Sequence, residues 1–453
     1  IQIVLLPLIL RTFGSSGLLF PLNVLWLPLL GVFVLPGAFA GMLFACLGFE
    51  KIASLVLHAV SLPCEGLVAL LQWLDNAGLL LSPVLPRPHW ISSLGYWLLI
   101  LALPAFALSV HSSLSGRRKR RAGIKSADGR HASREGMDCK KEAGAAHTCR
   151  LYGAGIPLLQ RLTGLCILCI PHARVVGEKG GTAVKLGLLG VGQGQRGLVE
   201  WGGLGGSTPG GRVLIDGGGL GSEFFDVGKG VVSPILTENR LPRLQAVVNS
   251  HPDRDHLEGL LYILEHFRVG RYLGNGDLPS SGLAKREARV LARSGLRMER
   301  LVAGDVLELT QGLHLEVLWP EKTDADVEGE STWPNDKKSG GKEDRNDNSL
   351  VLRLVWQGKG LAVIPGDAGK KPWRMLGKKK GPGVYAQVLI LLHHGSGKSL
   401  IPSFYSKVAP DIALASCGIT QAWRYPARSI RQFLLEKGIE LYSTAERGQI
   451  SLL

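Results

Sequence analysis

The chain has 453 residues, of which 45% are hydrophobic and 20% charged, and its formal net charge is +15. Most of its seven cysteines lie in apolar surroundings and the rest in a basic linker, which excludes a small disulfide-stapled scaffold. The charge is uneven: residues 1–111 hold three basic and three acidic side chains, residues 112–150 hold eleven basic and four acidic. The chain opens on Ile1 rather than Met, so a piece of a longer protein is expected.

Between Arg11 and Glu50 no residue is charged. That stretch exceeds the roughly 20 apolar residues a membrane-spanning helix needs. Pro21, Pro28 and Pro36 interrupt it, which predicts a loop or re-entrant piece near Phe13 to Asn23 and a span from about Leu25 to Leu47. A second span is expected from His89 to Val110, with Trp90 and Trp97 suited to a membrane interface. Ile52 to Leu74 contains His58 and Glu65; it reads as a weaker span or as a helix lying in the interface. A soluble core holds one such helix, not this succession, and a cleaved signal peptide does not explain runs this long. A protein of the lipid bilayer is expected.

The linker 112–150 contains Arg117 to Arg121. Such a run suits contact with a DNA backbone, or a short basic loop retained in the cytoplasm; the second reading is favoured. Ile156 to Pro171 then decides the side on which the rest of the chain lies. It is apolar but short and contains Arg161. Cys166-x-x-Cys169 has zinc-knuckle spacing, yet it lies in that apolar run with no second pair, so packing is the better reading.

From Val184 onward short apolar runs alternate with Gly-rich turns and helix-like segments, an α/β pattern. Strands are expected at Val184–Leu189, Arg212–Ile215, Leu244–Val248, Leu313–Trp319, Ser349–Trp356, Leu361–Ile364, Val388–Leu392 and Asp411–Ala415. Helices are expected at Ser281–Ser294 and Arg428–Lys437. Glu321 to Asp347 is polar, charged and Gly-containing, and reads as a disordered surface insertion rather than a site.

The densest chemistry is Ser250-His251-Pro252-Asp253-Arg254-Asp255-His256, at the end of a predicted strand. Two imidazoles and two carboxylates in six residues suit a divalent cation, zinc or a harder ion such as manganese. The bland alternative is a solvated turn opening a helix, with Asp253 or Asp255 as its cap. Two further strands end in ligand-type residues: Gly366-Asp367, and His393-His394-Gly395-Ser396. His266 and His314 read as structural.

The order His/Asp cluster, Asp, His resembles the metallo-β-lactamase superfamily. In detail the chain resembles the ComEC-type competence proteins, which bring DNA into bacteria. Their hydrolase-like domain carries Ser-His-x-Asp-x-Asp-His, a Gly-Asp after a strand, and His-His-Gly-Ser. Val191-Gly192-Gln193-Gly194, Leu214 to Gly218 and Asn348 to Arg353 also match. The front of the chain, with Leu5 to Pro7, Phe13-Gly14 and Asn23 to Pro28, is similar to the last spans of that family's membrane module.

The resemblance implies four parts: membrane module 1–111, basic linker 112–150, a last crossing and connector 151–180, and an αβ/βα hydrolase sandwich 181–453. It implies an inner-membrane, multi-pass protein with the sandwich outside the cytoplasm, and DNA and other uptake proteins as partners. Asp255, His256 and His394 would hold one metal ion, Asp367 would bridge, and His251 and Asp253 would hold a second, oxygen-rich position suited to manganese. Asp253 or Asp367 would orient the attacking water, and His393 and Ser396 would contact phosphate oxygens; alternatively His-His-Gly-Ser is only a turn presenting His394. Such a centre activates water and stabilises a leaving oxygen. The expected activity is phosphodiester cleavage, degrading one DNA strand as the other enters. The alternative is a DNA channel with a decayed, scaffolding hydrolase domain. Gly190 and Gln195, where that family commonly has Asp, Glu258 for Gly, and Arg424-Tyr425-Pro426-Ala427 without its His are departures that leave the metal ligands intact.

Overall fold

The computed structural model describes residues 2–15, 22–77, 79, 83–103, 111, 184–190, 194–202, 210–219, 225–322, 346–378, 383–418 and 425–452. The chain forms two compact units, Ile1–Pro171 and His172–Leu453. The basic run Arg117 to Arg121, the segment Ile156 to Pro171 and the motif residues Val191 to Gln193 lie outside the described residues.

The first unit is helical. Gln2–Phe13 is followed by Leu22–Leu29, a π-helical stretch Leu30–Val34 and Leu35–Cys46. The helix therefore runs through Pro28 and Pro36. Pro36 lacks an N–H, and widening the turn just before it accommodates the loss: Leu35 N–H bonds the Leu30 carbonyl five residues back. Glu50–Asn76 continues through Pro63 as the longest helix described. Gly37 and Gly41, four residues apart, let these helices touch; a Cβ on them would stand 2.5 Å from Val60 Cγ2 and 2.6 Å from Leu57 Cδ2.

Trp26–Cys46 and Glu50–Leu74 are long and apolar enough to cross a membrane, with mean hydropathy of 2.2 and 1.7. Ile52 to Leu74, the weaker expectation, thus qualifies by length and composition. Of the expected span His89 to Val110, Trp90–Leu103 is helical, and residues 104–110 lie outside the described residues. Trp90 is exposed, but Trp97 serves packing: its indole N–H donates to the Val4 carbonyl (2.7 Å), beside Tyr96 Oη–H on the Ile3 carbonyl (2.6 Å).

The second unit is a sandwich of two seven-stranded mixed sheets. One has the order β14-β1-β2-β3-β4-β5-β6, with β1 Val184–Leu188, β2 Gly197–Trp201, β3 Gly211–Ile215, β4 Arg243–Asn249, β5 Arg268–Gly274, β6 Met298–Arg300 and β14 Ile450–Leu452. The other has the order β13-β12-β11-β10-β9-β8-β7, with β7 Val306–Thr310, β8 Leu313–Trp319, β9 Val351–Trp356, β10 Lys359–Ile364, β11 Val388–Ile390, β12 Ile412–Ala415 and β13 Glu440–Ser443. In each sheet an antiparallel part gives way to a parallel one: β3 to β6 in the first, β10 to β13 in the second.

Strand period two divides the side chains between two cores. Ile215, Val248, Leu352, Ile364, Ile390 and Leu414 fill the space between the sheets. Val363, Leu389 and Ala413 point outward and pack with Trp373, Phe404, Ile430 and Leu434 of the covering helices Lys370–Lys378, Pro402–Val408 and Arg428–Glu436. Helix Arg254–His266 covers β4 and β5. Helices therefore cover the outer face of each sheet, the αβ/βα sandwich that the resemblance implied.

β8 has the expected bounds, whereas Val388–Leu392 ends early, at Ile390. His393 and His394 take left-handed conformations (φ 46° and 59°) that no strand can continue. β2, β5, β6, β7, β13 and β14 were not expected. The expected insertion Glu321 to Asp347 also ends early. Asn346 is buried, and the Asp347 carbonyl accepts from the Trp319 indole (2.6 Å).

Candidate metal centre

All ligand-type residues lie just beyond the carboxyl ends of parallel strands, where backbone turns outward and open sheets build their sites. Asp216 follows β3, Ser250 to His256 follow β4, Asp367 follows β10, His393 and His394 follow β11, and Ser416 follows β12. The two parallel halves deliver residues more than a hundred positions apart to one place.

Asp255, His256, Asp367 and His394 offer ligand atoms all within 4.8 Å of one another. His256 Nε2 stands 3.4 Å from Asp367 Oδ1 and His394 Nε2 stands 3.6 Å from it, both long for a hydrogen bond. His394 Nε2 is 3.8 Å from Asp255 Oδ2. Two ligand atoms on one ion, each about 2.1 Å from it, stand roughly 3.4 Å apart. Beside this group the His251 ring lies 4.1 Å from the His256 ring, and His251 Nε2 is 3.9 Å from Asp253 Oδ2. Asp253 occupies the N-cap position of Arg254–His266, but its side chain makes no capping hydrogen bond, so the bland reading of this residue fails. Asp255 lies in the first turn of that helix.

The inward atoms are unsatisfied. His251 Nε2, His256 Nε2, His394 Nε2 and Asp367 Oδ1 are buried without a hydrogen-bond partner. Four such atoms left bare would cost several kcal/mol, at about 1–3 each. A divalent cation satisfies those of His256, His394 and Asp367 together, and imidazole with carboxylate is a donor set that zinc and manganese accept. The residues present thus fit a metal.

The outer ring nitrogens explain why those atoms face inward. His256 Nδ1–H donates to Asp216 Oδ2 (2.8 Å). Ser250 N–H donates to Asp216 Oδ1 (2.7 Å), and Ser250 Oγ–H donates to Asp216 Oδ2 (2.8 Å). With its proton so used, Ser250 Oγ accepts from His251 Nδ1–H (3.1 Å). His394 Nδ1–H donates to the Ser416 carbonyl (3.1 Å). One buried carboxylate and one carbonyl therefore set His256 and His394 with Nε2 bare and aimed at the centre, and leave His251 Nε2 bare beside them.

Asp216 and Ser416 were not singled out in the sequence. The signal for Asp216 was present, since Ile215-Asp216 repeats the strand-then-Asp pattern of Gly366-Asp367. No comparable signal marks a backbone carbonyl at Ser416. Its hydroxyl donates to the Gly194 carbonyl (2.8 Å). Gly194 itself has φ +95°, and a Cβ there would collide with the Asp255 carbonyl oxygen, so only glycine lets this loop press on the ligand helix.

The charges are tightly coupled. Burial pushes the His251 imidazole down to about 4, helped by the neighbouring His256. Burial also opposes charge on His256, but Asp216 and Asp367 outweigh it and raise that imidazole above its ordinary range. His394 is raised likewise, by Asp367 and Asp255 against burial. Asp367 and Asp255 are held below the usual carboxylate range despite burial, Asp367 by the charges of His394 and His256, Asp255 by its neighbours His394 and His256.

His393 sits at the edge of the group, its side chain 34% exposed, with Nδ1 3.7 Å from Asp367 Oδ2 and 3.4 Å from Asn346 Nδ2. Ser396 is buried, and its N–H closes the turn onto the His393 carbonyl (3.0 Å). The two other histidines weighed in the sequence keep local partners. His266 donates to the Tyr262 carbonyl (3.0 Å), and His314 lies 3.5 Å from Glu316.

Known proteins resemble the front of the chain in particular and about half of its length in all. Residues 1–109 match the family model described as Competence protein. "ComE operon protein 3" of Bacillus subtilis is 26% identical over 226 residues, covering 50% of this chain and 26% of that protein. "Competence protein ComA" of Neisseria gonorrhoeae is 35% identical over 221 residues, covering 49% of this chain and 27% of that protein. In these matches the chain is similar to competence proteins of the ComEC type. Among solved structures, a putative zinc-dependent hydrolase of the metallo-β-lactamase superfamily from Thermotoga maritima aligns with a TM-score of 0.28 and 11% identity, covering 56% of this chain and 86% of that one. The chain spans about a quarter of the length of the curated relatives it matches.

Proposed function

We propose that this chain belongs to a membrane protein of bacterial DNA uptake, and that its sandwich domain cleaves DNA phosphodiester bonds with one or two divalent metal ions, degrading one strand as the other is translocated. The observation that carries the reading is the convergence of the bare imidazole nitrogens of His256 and His394 on Asp367 Oδ1, all buried and unpartnered, with the bare His251 Nε2 beside them.

Asp255, His256, Asp367 and His394 would hold the first ion, with His251 and Asp253 available to a second, manganese or zinc. A divalent ion there supplies positive charge beside the scissile phosphate. Asp367, close to both His256 and His394, would bridge, and Asp253 or Asp367 would orient a water. His393, part exposed at the edge, would donate to a non-bridging oxygen. Ser396 shares that expectation, though its burial favours its part in the turn. The apolar helices Trp26–Cys46 and Glu50–Leu74 support a bilayer location. We place the sandwich outside the cytoplasm, across Ile156 to Pro171, with other uptake proteins as partners.

One observation favours the second reading, a domain that holds DNA without cutting it. Gln195, where the resembled family commonly has Asp, is fully buried with both amide atoms unpartnered. The test is cleavage of linear DNA by the full chain in neutral detergent during long incubation with manganese. Cleavage should require the ion and disappear in Asp367→Asn, while DNA affinity, a separate salt-sensitive quantity, stays nearly unchanged. Binding without ion-dependent cleavage overturns the nuclease reading. Reporter fusions at positions 130 and 330 scoring on the same side overturn the topology.

A further inference from the structure

The helix Ser281–Ser294 presents a face of one charge sign. Lys285, Arg286, Arg289 and Arg293 are exposed on it. The one acidic residue of this helix, Glu287, is turned inward at 2% exposure and accepts from Tyr272 Oη–H (2.6 Å). Like charges at i and i+4, as in Lys285, Arg289 and Arg293, destabilise an isolated helix. Among the described residues Lys285 and Arg289 bring no ion pair to the fold at that spacing, whereas a polyanion-binding helix gains from them.

The direction of the stripe follows from two ion pairs. Arg286 reaches Glu258 (3.4 Å) and Arg293 reaches Glu265 (2.9 Å). Both steps are seven residues in the same sense, so the helix runs parallel to Arg254–His266, the helix that carries Asp255 and His256. Arg286 is thereby held about one turn from Asp255, and the stripe starts at the ligand end. From Lys285 to Arg293 it extends about 12 Å, the axial run of three to four phosphates of one strand. Lys285 and Arg289 have no acidic partner among the described residues.

We propose that this face is a track for the phosphate backbone of a single nucleic-acid strand leading to the ligand cluster. The identity of the polyanion rests on the nuclease reading; the track itself does not. Anionic lipid fits less well. The exposed positions between the charges are Ala288 and Ala292, Leu283 and Val290 are buried, and no large apolar side chain of this helix is exposed to enter a bilayer.

The test uses the full chain in neutral detergent and a fluorescent single-stranded oligonucleotide, with chelator present so that binding is read without cleavage. In Lys285→Gln/Arg289→Gln affinity should fall roughly tenfold or more at low salt, and the slope of log affinity against log salt should become shallower by about 1.4, at 0.7 per lost phosphate contact. Ala288→Arg, an added charge on the same face, should tighten binding and steepen the slope by about 0.7. Unchanged slopes in both variants overturn the track, whether or not the protein cuts DNA. Unchanged DNA binding with a lost preference for phosphatidylglycerol over phosphatidylcholine vesicles overturns it in favour of lipid. Loss of binding in a protein that never cleaves keeps the track and removes the nuclease reading.

Discussion

The helical region and the sandwich place the same kinds of side chain in opposite surroundings. In the helices Val32, Leu55 and Phe39 are 79%, 71% and 64% exposed. In the sandwich Leu352, Ile364 and Leu414 are buried between the sheets, and the exposed large hydrophobic residues described there are Phe225, Leu241, Val306, Met375, Tyr385 and Leu435. The first arrangement is stable where the solvent is itself apolar, the second where water drives burial. Composition alone therefore says much about the helices. The sandwich's chemistry depends on which distant residues the topology brings together.

The largest expected effect breaks or keeps that contrast. Leu352→Ala should cost about 2–5 kcal/mol of sandwich stability, as buried Leu truncations do. Leu55→Ala, in detergent, should stay within about 0.5 kcal/mol. Denaturant titration of both variants measures it. Equal losses would mean that Leu55 is buried in the assembled protein and that the outward apolar face is not a lipid-facing one.

Asp216 tests convergence within the sandwich. Asp216→Asn keeps the backbone, because Asn tolerates the positive φ of 62° found there. It keeps an acceptor for Ser250 N–H. It cannot offer an anionic oxygen to both Ser250 Oγ–H and His256 Nδ1–H, so the inward nitrogens of His256 and His251 lose their fixed tautomer. Metal affinity should fall about 10–100-fold, the usual cost of losing such a support. Metal titration of the folded variant decides; unchanged affinity would mean that the ligands orient themselves.

The contrast also explains what the sequence discloses. Long apolar runs expose the helices directly: the span expected from Leu25 to Leu47 is helical through Pro28 and Pro36, with a π-helical stretch before Pro36. In the sandwich, strands with strict alternation are legible, as Leu313–Trp319 is. Gly197–Trp201 and Arg268–Gly274 are not, because Glu200, Arg268 and Arg271 break the pattern, and their pairing comes from neighbouring strands rather than from local preference. The metal ligands are legible because each ends an apolar run. Asp216 ends an apolar run as well, but its support of His256 and Ser250, 40 and 34 residues away, shows only in the fold. Ser416 is hidden because its contribution to His394 is a carbonyl, which every residue has.

The smallest expected effect concerns where the site stops. Composition assigns Asn346 to a solvated insertion, yet it is 8% exposed and its amide reaches His393 Nδ1 at 3.4 Å. An amide N–H given to Nδ1 leaves the His393 proton on Nε2, the tautomer that can donate outward to a phosphate oxygen. At that length the bond is weak, and neutral bonds contribute only about 0.5–1.5 kcal/mol even when well formed. Asn346→Ala should therefore lower DNA cleavage by about two- to fivefold, the lower part of that range, and leave metal content unchanged, since Asn346 touches none of the four ligands grouped around Asp367. A loss confined to cleavage rate would extend the site to the edge of the insertion. A loss of metal would instead make Asn346 a support of Asp367, and no loss of either kind would leave it a buried packing residue.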